Sequence, residues 1–155
     1  MGLEIERKFM IKGDFQKHAV KFLTIKQGYI STVHGITVRI RLKDKKGYLT
    51  IKGGSGTSGL SRYEWEKEID FEEAQELLGL CDTGIIDKTR YLIPAGSFTW
   101  EVDVFHGENE GLVMAEIELK SETDTFSVPD WLGEEVTGDL RYYNSSLAKN
   151  PFTRW

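Results

Sequence analysis

The feature that most constrains this chain is a strict alternation of charged and apolar side chains in its strand-like segments. In LEIERKFMI (residues 3–11), Glu4, Glu6 and Lys8 fall on one side of the alternation, and Arg7 is the one charge on the other side. Successive side chains of a β-strand point to opposite faces, so a period of two residues predicts a strand. This strand would have one apolar face and one face made of formal charges.

The alternation returns in later segments, where charges of one sign follow each other at every second position. The pairs are Arg39/Arg41, Glu64/Glu66, Lys88/Arg90, Glu101/Asp103 and Glu116/Glu118, and Lys52 shares such a face with a threonine. Like charges this close repel unless a counter-charge lies between them. Alternation alone leaves two arrangements open. The charged faces form either the solvent side of a two-sheet sandwich or the inside of a barrel.

Two features of the charged faces favour the barrel. These faces contain few of the small polar residues that usually dilute a solvated face, and two amphipathic helical segments need an apolar outer surface to pack on. A barrel interior would then hold eight carboxylates and six cations, a set that requires water, metal ions and a charged ligand. Paired carboxylates suit Mg²⁺ or Mn²⁺, and arginine side chains suit phosphate oxygens. Metal and polyphosphate together would account for both signs of charge.

The order of elements predicts a mainly β fold with few helices. Strand patterns cover 3–11, 21–32, 36–43, 47–53, 61–70, 84–93, 98–105 and 112–120. DKKG (44–47) predicts a hairpin, and helices are expected over 71–81 and 138–148, with a helical turn within 14–19. Asp70 and Glu73 form a capping-box pattern before the first helix. We expect an antiparallel meander closed into an eight-stranded barrel, with outer helices and a C-terminal helix.

Composition limits the class of protein. The 155 residues predict one domain spanning 1–155, and the net charge of −5 argues against a nucleic-acid binder. No apolar run is long enough to span a bilayer, and the N-terminus has no basic-then-apolar leader. The single cysteine, Cys81, cannot form an internal disulfide, which fits a reducing compartment. The expected location is the cytoplasm.

GSGTSG (54–59) matches the glycine spacing of a dinucleotide-binding loop. That motif must open a helix, whereas the segment after it, RYEWEKEI, has the pattern of a strand. We therefore interpret residues 53–60 as a loop between two strands.

The charged segments, taken in order, resemble the CYTH, or triphosphate tunnel metalloenzyme, superfamily. The resemblance begins at Glu4-Ile5-Glu6-Arg7-Lys8, which is the ExExK signature, and covers nearly the whole chain. It continues through Arg39-x-Arg41, Lys52, Glu64/Glu66, Lys88-Thr89-Arg90, Glu101-x-Asp103, Glu116-x-Glu118 and EVTGDLRYYN (135–144). The resemblance implies an eight-stranded antiparallel tunnel that binds a triphosphate along its axis. It is greatest to small single-domain bacterial members, several of which hydrolyse inorganic triphosphate.

The resemblance also implies roles for particular residues. Phosphate contacts are expected from Lys8, Arg39, Arg41, Lys52 and Arg90, and Arg141 is either a surface cation or a phosphate contact at the end of the tunnel. A first Mg²⁺ or Mn²⁺ ion is expected at Glu4, Glu6 and Glu118, and a second ion or its waters at Glu66, Asp103 and Glu116. Lys88 is the candidate general base, and Tyr29 is either structural or orients a phosphate or the attacking water. The expected partner is a small-molecule triphosphate, with no nucleic acid or membrane, in a monomer or homodimer.

Three alternatives remain beside an inorganic triphosphatase. One is a hydrolase of an organic triphosphate, such as a nucleoside or thiamine triphosphate. Another is a class IV adenylate cyclase, although bacterial cyclases of this kind commonly carry a His-Phe pair before ExExK, where this chain has Met1, Gly2 and Leu3. The third is a module that holds polyphosphate without cleaving it. No base- or ring-recognition element is evident in the sequence, which favours the inorganic substrate.

Overall fold

The computed structural model describes residues 2–30, 35–53 and 61–155. The strands are β1 (Gly2–Ile11), β2 (Lys21–Ile30), β3 (Thr37–Lys43), β4 (Lys46–Gly53), β5 (Ser61–Ile69), β6 (Ile86–Ala95), β7 (Phe98–Phe105), β8 (Val113–Glu118) and β9 (Leu132–Glu135). The helices are α1 (Phe71–Leu78) and α2 (Asn144–Leu147), with 3-10 turns at Gln16–His18, Gly107–Asn109, Leu140–Tyr142 and Phe152–Arg154. Residues 54–60 of the loop predicted over 53–60, and the end of the second predicted strand, 31–32, lie outside the described residues.

Eight of the strands close into an antiparallel barrel, as predicted. Their order is β5-β4-β3-β2-β6-β7-β8-β1, and β1 also pairs with β5, which closes the ring. The first half of β1 pairs with β5, so that Glu4 lies opposite Arg62. The second half pairs with β8, so that Glu6 lies opposite Glu118. Closure removes the unpaired edges that an open sheet would expose.

The predicted simple meander is wrong, because only two runs of strands pair in sequence order. β2 to β5 form one run and β6 to β8 form the other, while β1 lies between β8 and β5. Between the runs, α1 carries the chain from β5 to β6, which pairs with β2. The helix lies very close to β4, since a Cβ atom at Gly47 would lie 2.4 Å from that of Ala74. Glycine is therefore required there.

The predicted turns and helices are confirmed in part. The β3–β4 hairpin turns at Asp44, whose φ of 52° is the left-handed conformation typical of two-residue hairpin turns. The Asp70 side chain does not cap α1, which ends at Leu78 rather than at residue 81. Near the C-terminus, Tyr143 is extended (ψ 136°) and divides the predicted long helix into a 3-10 turn and the one-turn helix α2.

Strand β9 was not predicted, and it lies outside the closed ring. Its four residues pair with the end of β1, across a register shift between Phe9 and Ile11. A strand this short, with the sequence LGEE, shows no measurable alternation. From the sequence alone, this segment could therefore not be distinguished from a loop.

The structure decides which face of the barrel is inside. Buried charged side chains include Lys8, Arg39, Lys88 and Asp103, which all belong to the charged alternation. On the outside of β7, Trp100 is fully buried. Aromatic rings surround it edge-on: those of Phe9, Phe126 and Trp131. The charged faces therefore point inward, and the apolar faces pack beneath the outer segments.

The C-terminal segment packs against one end of the barrel. Leu147 and Ala148 belong to an apolar cluster with Phe105 and Met114, which lie near the strand ends of β7 and β8. This contact places the start of α2 beside the charged interior. None of the helices in the described ranges is long and apolar enough to cross a membrane.

Candidate active site

The barrel encloses a narrow cavity whose wall is almost entirely polar. It is lined by Glu6, Lys8, Tyr29, Thr37, Arg39, Arg41, Lys52, Arg62, Lys88, Arg90, Glu116, Tyr143, Asn144 and Ser145. Its cations come mainly from β3, β4 and β6, whereas carboxylates enter the barrel from β1, β5, β7 and β8. The alternation thus sorts the interior into a positive wall and a negative wall.

Lysines connect the two walls. The Nζ atom of Lys8 lies 2.7 Å from Glu116 and 3.0 Å from Glu6. Burial lowers the pKa of Lys8, but these two carboxylates outweigh it and raise the pKa, so Lys8 is charged. Lys52 similarly lies 2.9 Å from Glu4 and 3.5 Å from Glu64. Each cation thereby offsets the repulsion between neighbouring carboxylates.

Asp103 is held by two cations. Its oxygens accept hydrogen bonds from the Nε and Nη2 atoms of Arg90 at 2.8 and 2.9 Å. The Nζ atom of Lys88 lies 2.8 Å from the same carboxylate. Burial raises the pKa of Asp103, but Arg90 and Lys88 reverse this and lower it, so Asp103 is ionised. The predicted role of Asp103 as a metal ligand stays a prediction, and it would require these contacts to rearrange.

The positive wall is incompletely satisfied at Arg39 and Arg41: among the described residues Arg41 has no ion-pair partner, and Arg39 pairs only with Glu66 at 3.4 Å. Burial lowers the pKa of Arg41 to about 9, and the neighbouring Arg39 and Arg90 act in the same direction. The Nε atom of Arg39 is buried without a hydrogen-bond partner among the described residues. A buried donor that lacks a partner costs about 1–3 kcal/mol. An anion bound between these arginines would supply the missing acceptor and the missing negative charge.

Lys88 has an environment suited to a proton acceptor. Its side chain is 1% exposed, and burial is the largest of the effects that lower its pKa to about 7. Asp103 opposes this shift, while Arg90 and Arg41 reinforce it. The sequence pointed to the neighbouring cations, but it could not show how deeply the lysine is buried.

The negative wall is suited to a divalent cation. Burial raises the pKa of Glu118 to about 7, and the surrounding carboxylates, which include Glu4, Glu64 and Glu101, raise it further. Such crowding of oxygen donors fits a hard cation such as Mg²⁺ or Mn²⁺. In the described part of the chain no three acidic, histidine or cysteine side chains converge as a ready-made metal site. Glu4 and Glu6 instead bind lysines.

We expect the metal-free protein to lose stability as pH rises from about 5 to about 7, because of Glu118. Its carboxyl group has a higher pKa in the folded state than in the unfolded chain, so the folded state holds the proton more tightly in this window. The group is only partly buried, and screening by solvent reduces its contribution to on the order of 1 kcal/mol, or roughly 2–4 °C in Tm. Glu118→Gln should remove this part of the pH dependence.

Thermal melting between pH 5 and pH 8 without divalent metal measures the effect. The matched control is Glu134→Gln, at an exposed position on β9. An unchanged slope in Glu118→Gln would contradict the crowding of carboxylates around Glu118.

Not every predicted site residue borders the cavity. Glu66 accepts a hydrogen bond from Thr50 at 2.7 Å and lies 3.4 Å from Arg39, so it buttresses the arginine wall. Arg141 has an exposed side chain, pairs with Asp139 at 2.8 Å and lies over the ring of Trp155. Its phosphate contact stays a prediction. Tyr29 is buried in the cavity wall.

Several cavity residues were missed by the sequence analysis. Thr37, Arg62 and Asn144 line the cavity, and Gln27 is fully buried beside it. Gln27, Thr37 and Arg62 share the alternation with predicted residues two positions away, so the same periodicity could have found them. Asn144 has no such signal, because it follows an irregular segment.

The CYTH domain family model matches residues 2–150 of the chain. The chain belongs to the CYTH domain family. Membership of this family implies dependence on a divalent metal. This CYTH domain is 53% identical over 153 residues to an inorganic triphosphatase of Acetivibrio thermocellus, covering 98% of this chain and 97% of that protein.

A second relative of this CYTH domain is an inorganic triphosphatase of Nitrosomonas europaea, with 38% identity over 152 residues, or 94% of this chain and 96% of that protein. The crystal structure of an inorganic triphosphatase also matches, with a TM-score of 0.67 and 33% identity, covering 96% of this chain and 95% of that chain.

Proposed function

We propose that this CYTH domain is a divalent-metal-dependent hydrolase of inorganic triphosphate. The observation that carries the proposal is a closed barrel whose interior is sorted into an arginine- and lysine-rich wall and a carboxylate wall. The first suits the phosphates of a linear triphosphate, and the second suits a divalent ion. Relatives at 53% and 38% identity are inorganic triphosphatases, which supports the same substrate.

The phosphate groups are assigned to the cations of the cavity: Lys8, Arg39, Arg41, Lys52 and Arg90. Arg39 and Arg41 are the strongest assignments, because the buried Nε atom of Arg39 has no hydrogen-bond partner among the described residues and the buried guanidinium group of Arg41 lies beside other cations. Lys8 and Lys52 already hold carboxylates of the negative wall, so they are placed to bridge substrate and metal ligands. Fixing both ends of the substrate in this way lowers the entropic part of the barrier.

The metal is assigned to Glu4, Glu6 and Glu118, with Glu66, Asp103 and Glu116 as weaker assignments for a second ion or its waters. The mutual repulsion around Glu118 supports the first set. Mg²⁺ and Mn²⁺ both fit carboxylate donors. When bound, the divalent ion supplies Lewis-acid stabilisation of the charge that develops on the phosphoryl oxygens.

Lys88 is assigned as the general base that takes a proton from the attacking water. A base is most effective when its pKa lies near the working pH, and the pKa of Lys88 is lowered to about 7. Asp103 and Asn144 hold its amino group at 2.8 Å each. The hydroxyl group of Tyr29 lies in the same cavity wall and is assigned to orient a phosphate or the water.

We expect phosphate release from inorganic triphosphate in the presence of Mg²⁺ or Mn²⁺, with kcat/KM for nucleoside triphosphates and pyrophosphate lower by about tenfold or more. Pyrophosphate offers fewer phosphate oxygens to the cations, and a nucleoside adds a bulky group to a cavity whose wall is mostly polar. Phosphate release across this substrate panel, with each metal and with chelator, is the measurement.

Three outcomes would replace the proposal. ATP hydrolysed as efficiently as triphosphate would favour an organic substrate. Cyclic AMP formed from ATP would favour a cyclase. Tight binding of triphosphate without phosphate release, with either metal, would favour a binding module.

A further inference from the structure

Gln27 is a fully buried amide among the charges of the barrel. Its Oε1 atom accepts a hydrogen bond of 2.7 Å from the Nε atom of Arg41, and its Nε2 atom donates one of 2.7 Å to the Tyr29 hydroxyl. The orientation of the amide follows from chemistry, since a guanidinium group can only donate. Among the described residues, Arg41 forms no other side-chain hydrogen bond. Gln27 thus sets the direction of one phosphate-binding arginine.

Asn144 performs the equivalent task for Lys88. Its Oδ1 atom accepts a hydrogen bond of 2.8 Å from the Lys88 Nζ atom, and Asp103 lies at the same distance from that atom. These two contacts, from α2 and β7, hold the amino group of Lys88 in the wall of the cavity. Asn144 therefore fixes the position of that amino group.

A weaker contact of 3.5 Å joins the two amides, from Gln27 Nε2 to Asn144 Oδ1. The chain Arg41–Gln27–Asn144–Lys88 thereby crosses from β3 through β2 and α2 to β6. Two uncharged side chains thus link Arg41 to Lys88. An amide suits this position because its oxygen accepts a hydrogen bond from a cation while its nitrogen donates one to a neutral oxygen. The amide itself stays uncharged.

We propose that Gln27 and Asn144 are positioning residues for hydrolysis, Gln27 acting through Arg41 and Asn144 acting through Lys88. The proposal rests on the function proposed above. A purely structural amide would affect activity to the same extent whether or not its charged partner is present. A positioning amide should affect activity only when that partner is present. In-line attack tolerates little displacement, so loss of either contact should lower activity without removing a charge.

The test for Gln27 is a binding cycle that requires no catalysis. Calorimetric titration of metal-free protein with tripolyphosphate compares Gln27→Met in the wild-type background and in an Arg41→Ala background. We expect about tenfold weaker binding in the first and less than about twofold in the second. Gln75→Met, on the exposed surface of α1, is the matched control. Gln27→Leu replaces Gln27→Met if the latter does not melt cooperatively.

The test for Asn144 is a kinetic cycle. Asn144→Leu should lower kcat for triphosphate about tenfold and change KM less, whereas in a Lys88→Ala background it should lower kcat less than about twofold. Equal factors in both backgrounds, in either cycle, would overturn the proposed positioning role of that amide. If wild-type protein binds triphosphate without hydrolysing it, the proposed function and the proposed role of Asn144 are both wrong. The binding cycle would still test the role of Gln27, because it requires no hydrolysis.

Discussion

Glu6→Gln is expected to lower metal-dependent hydrolysis of triphosphate by at least about 100-fold while the barrel stays folded. The substitution keeps the shape of the side chain but removes the charge that the proposed metal site requires. Substitution of a residue that hydrogen-bonds to a metal ligand commonly lowers metal affinity or activity about 10–100-fold. Loss of a ligand itself should lower activity by more than this. Glu4→Gln should behave similarly, because Glu4 lies on the same inward face of β1.

The same substitution should not reduce the stability of the metal-free protein, and is expected to raise it. Burial raises the pKa of Glu6, and Glu116 and Glu4 raise it further, which means that the ionised carboxylate opposes folding at neutral pH. Melting with and without Mg²⁺, together with phosphate release, separates the two effects. Glu72→Gln on the exposed face of α1 is the matched control. If the Glu6→Gln protein were fully active and its Tm did not change when Mg²⁺ is added, the assignment of Glu6 as a metal ligand would be wrong.

Lys88→Ala is expected to lower kcat by about 10²–10⁴-fold and to change KM less, which is the pattern for loss of a general base. Because the pKa of Lys88 is lowered to about 7, the wild-type rate should fall as pH decreases below about 7 and the amine becomes protonated. This acidic limb should disappear in Lys88→Ala. Arg90→Ala should raise KM more, because a guanidinium group binds phosphate but does not readily release its proton.

Lys45→Ala, at an exposed position in the β3–β4 turn, is the matched lysine control and should leave the profile unchanged. The decisive comparison is between kcat and KM over the pH range. Should Lys88→Ala retain kcat and the acidic limb while KM alone rises, Lys88 would be one more phosphate contact.

The charged faces of the strands could be predicted because the alternation is a local property of each strand, whereas their inward direction followed from their composition and from the two amphipathic helical segments. A residue such as Arg39 or Glu116 is repeated at i and i+2, and the like charges are tolerated only where opposite charges face them. The pairings themselves could not be predicted. Lys52 meets Glu4, and Lys8 meets Glu116, because β1 lies between β5 and β8. No local pattern encodes that neighbour order.

The environment of Lys88 shows a similar limit. The sequence placed Arg90 two residues away, and the structure adds burial and a contact with Asn144, which lies 56 residues along the chain. Tertiary burial, rather than sequence neighbours, contributes most to its lowered pKa. The irregular approach to α2 also hid Asn144, since an extended Tyr143 interrupts the helical pattern.

The position of β1 connects closure of the barrel with the proposed metal site. The first strand of the chain completes the ring by pairing with β5 and β8, so its contacts span most of the sequence. Long-range pairings of this kind form late, because the entropy of closing a long loop must be paid first. β1 also carries Glu4 and Glu6. If Glu4 and Glu6 bind the metal as proposed, a chain whose ring is still open should have little affinity for a divalent ion.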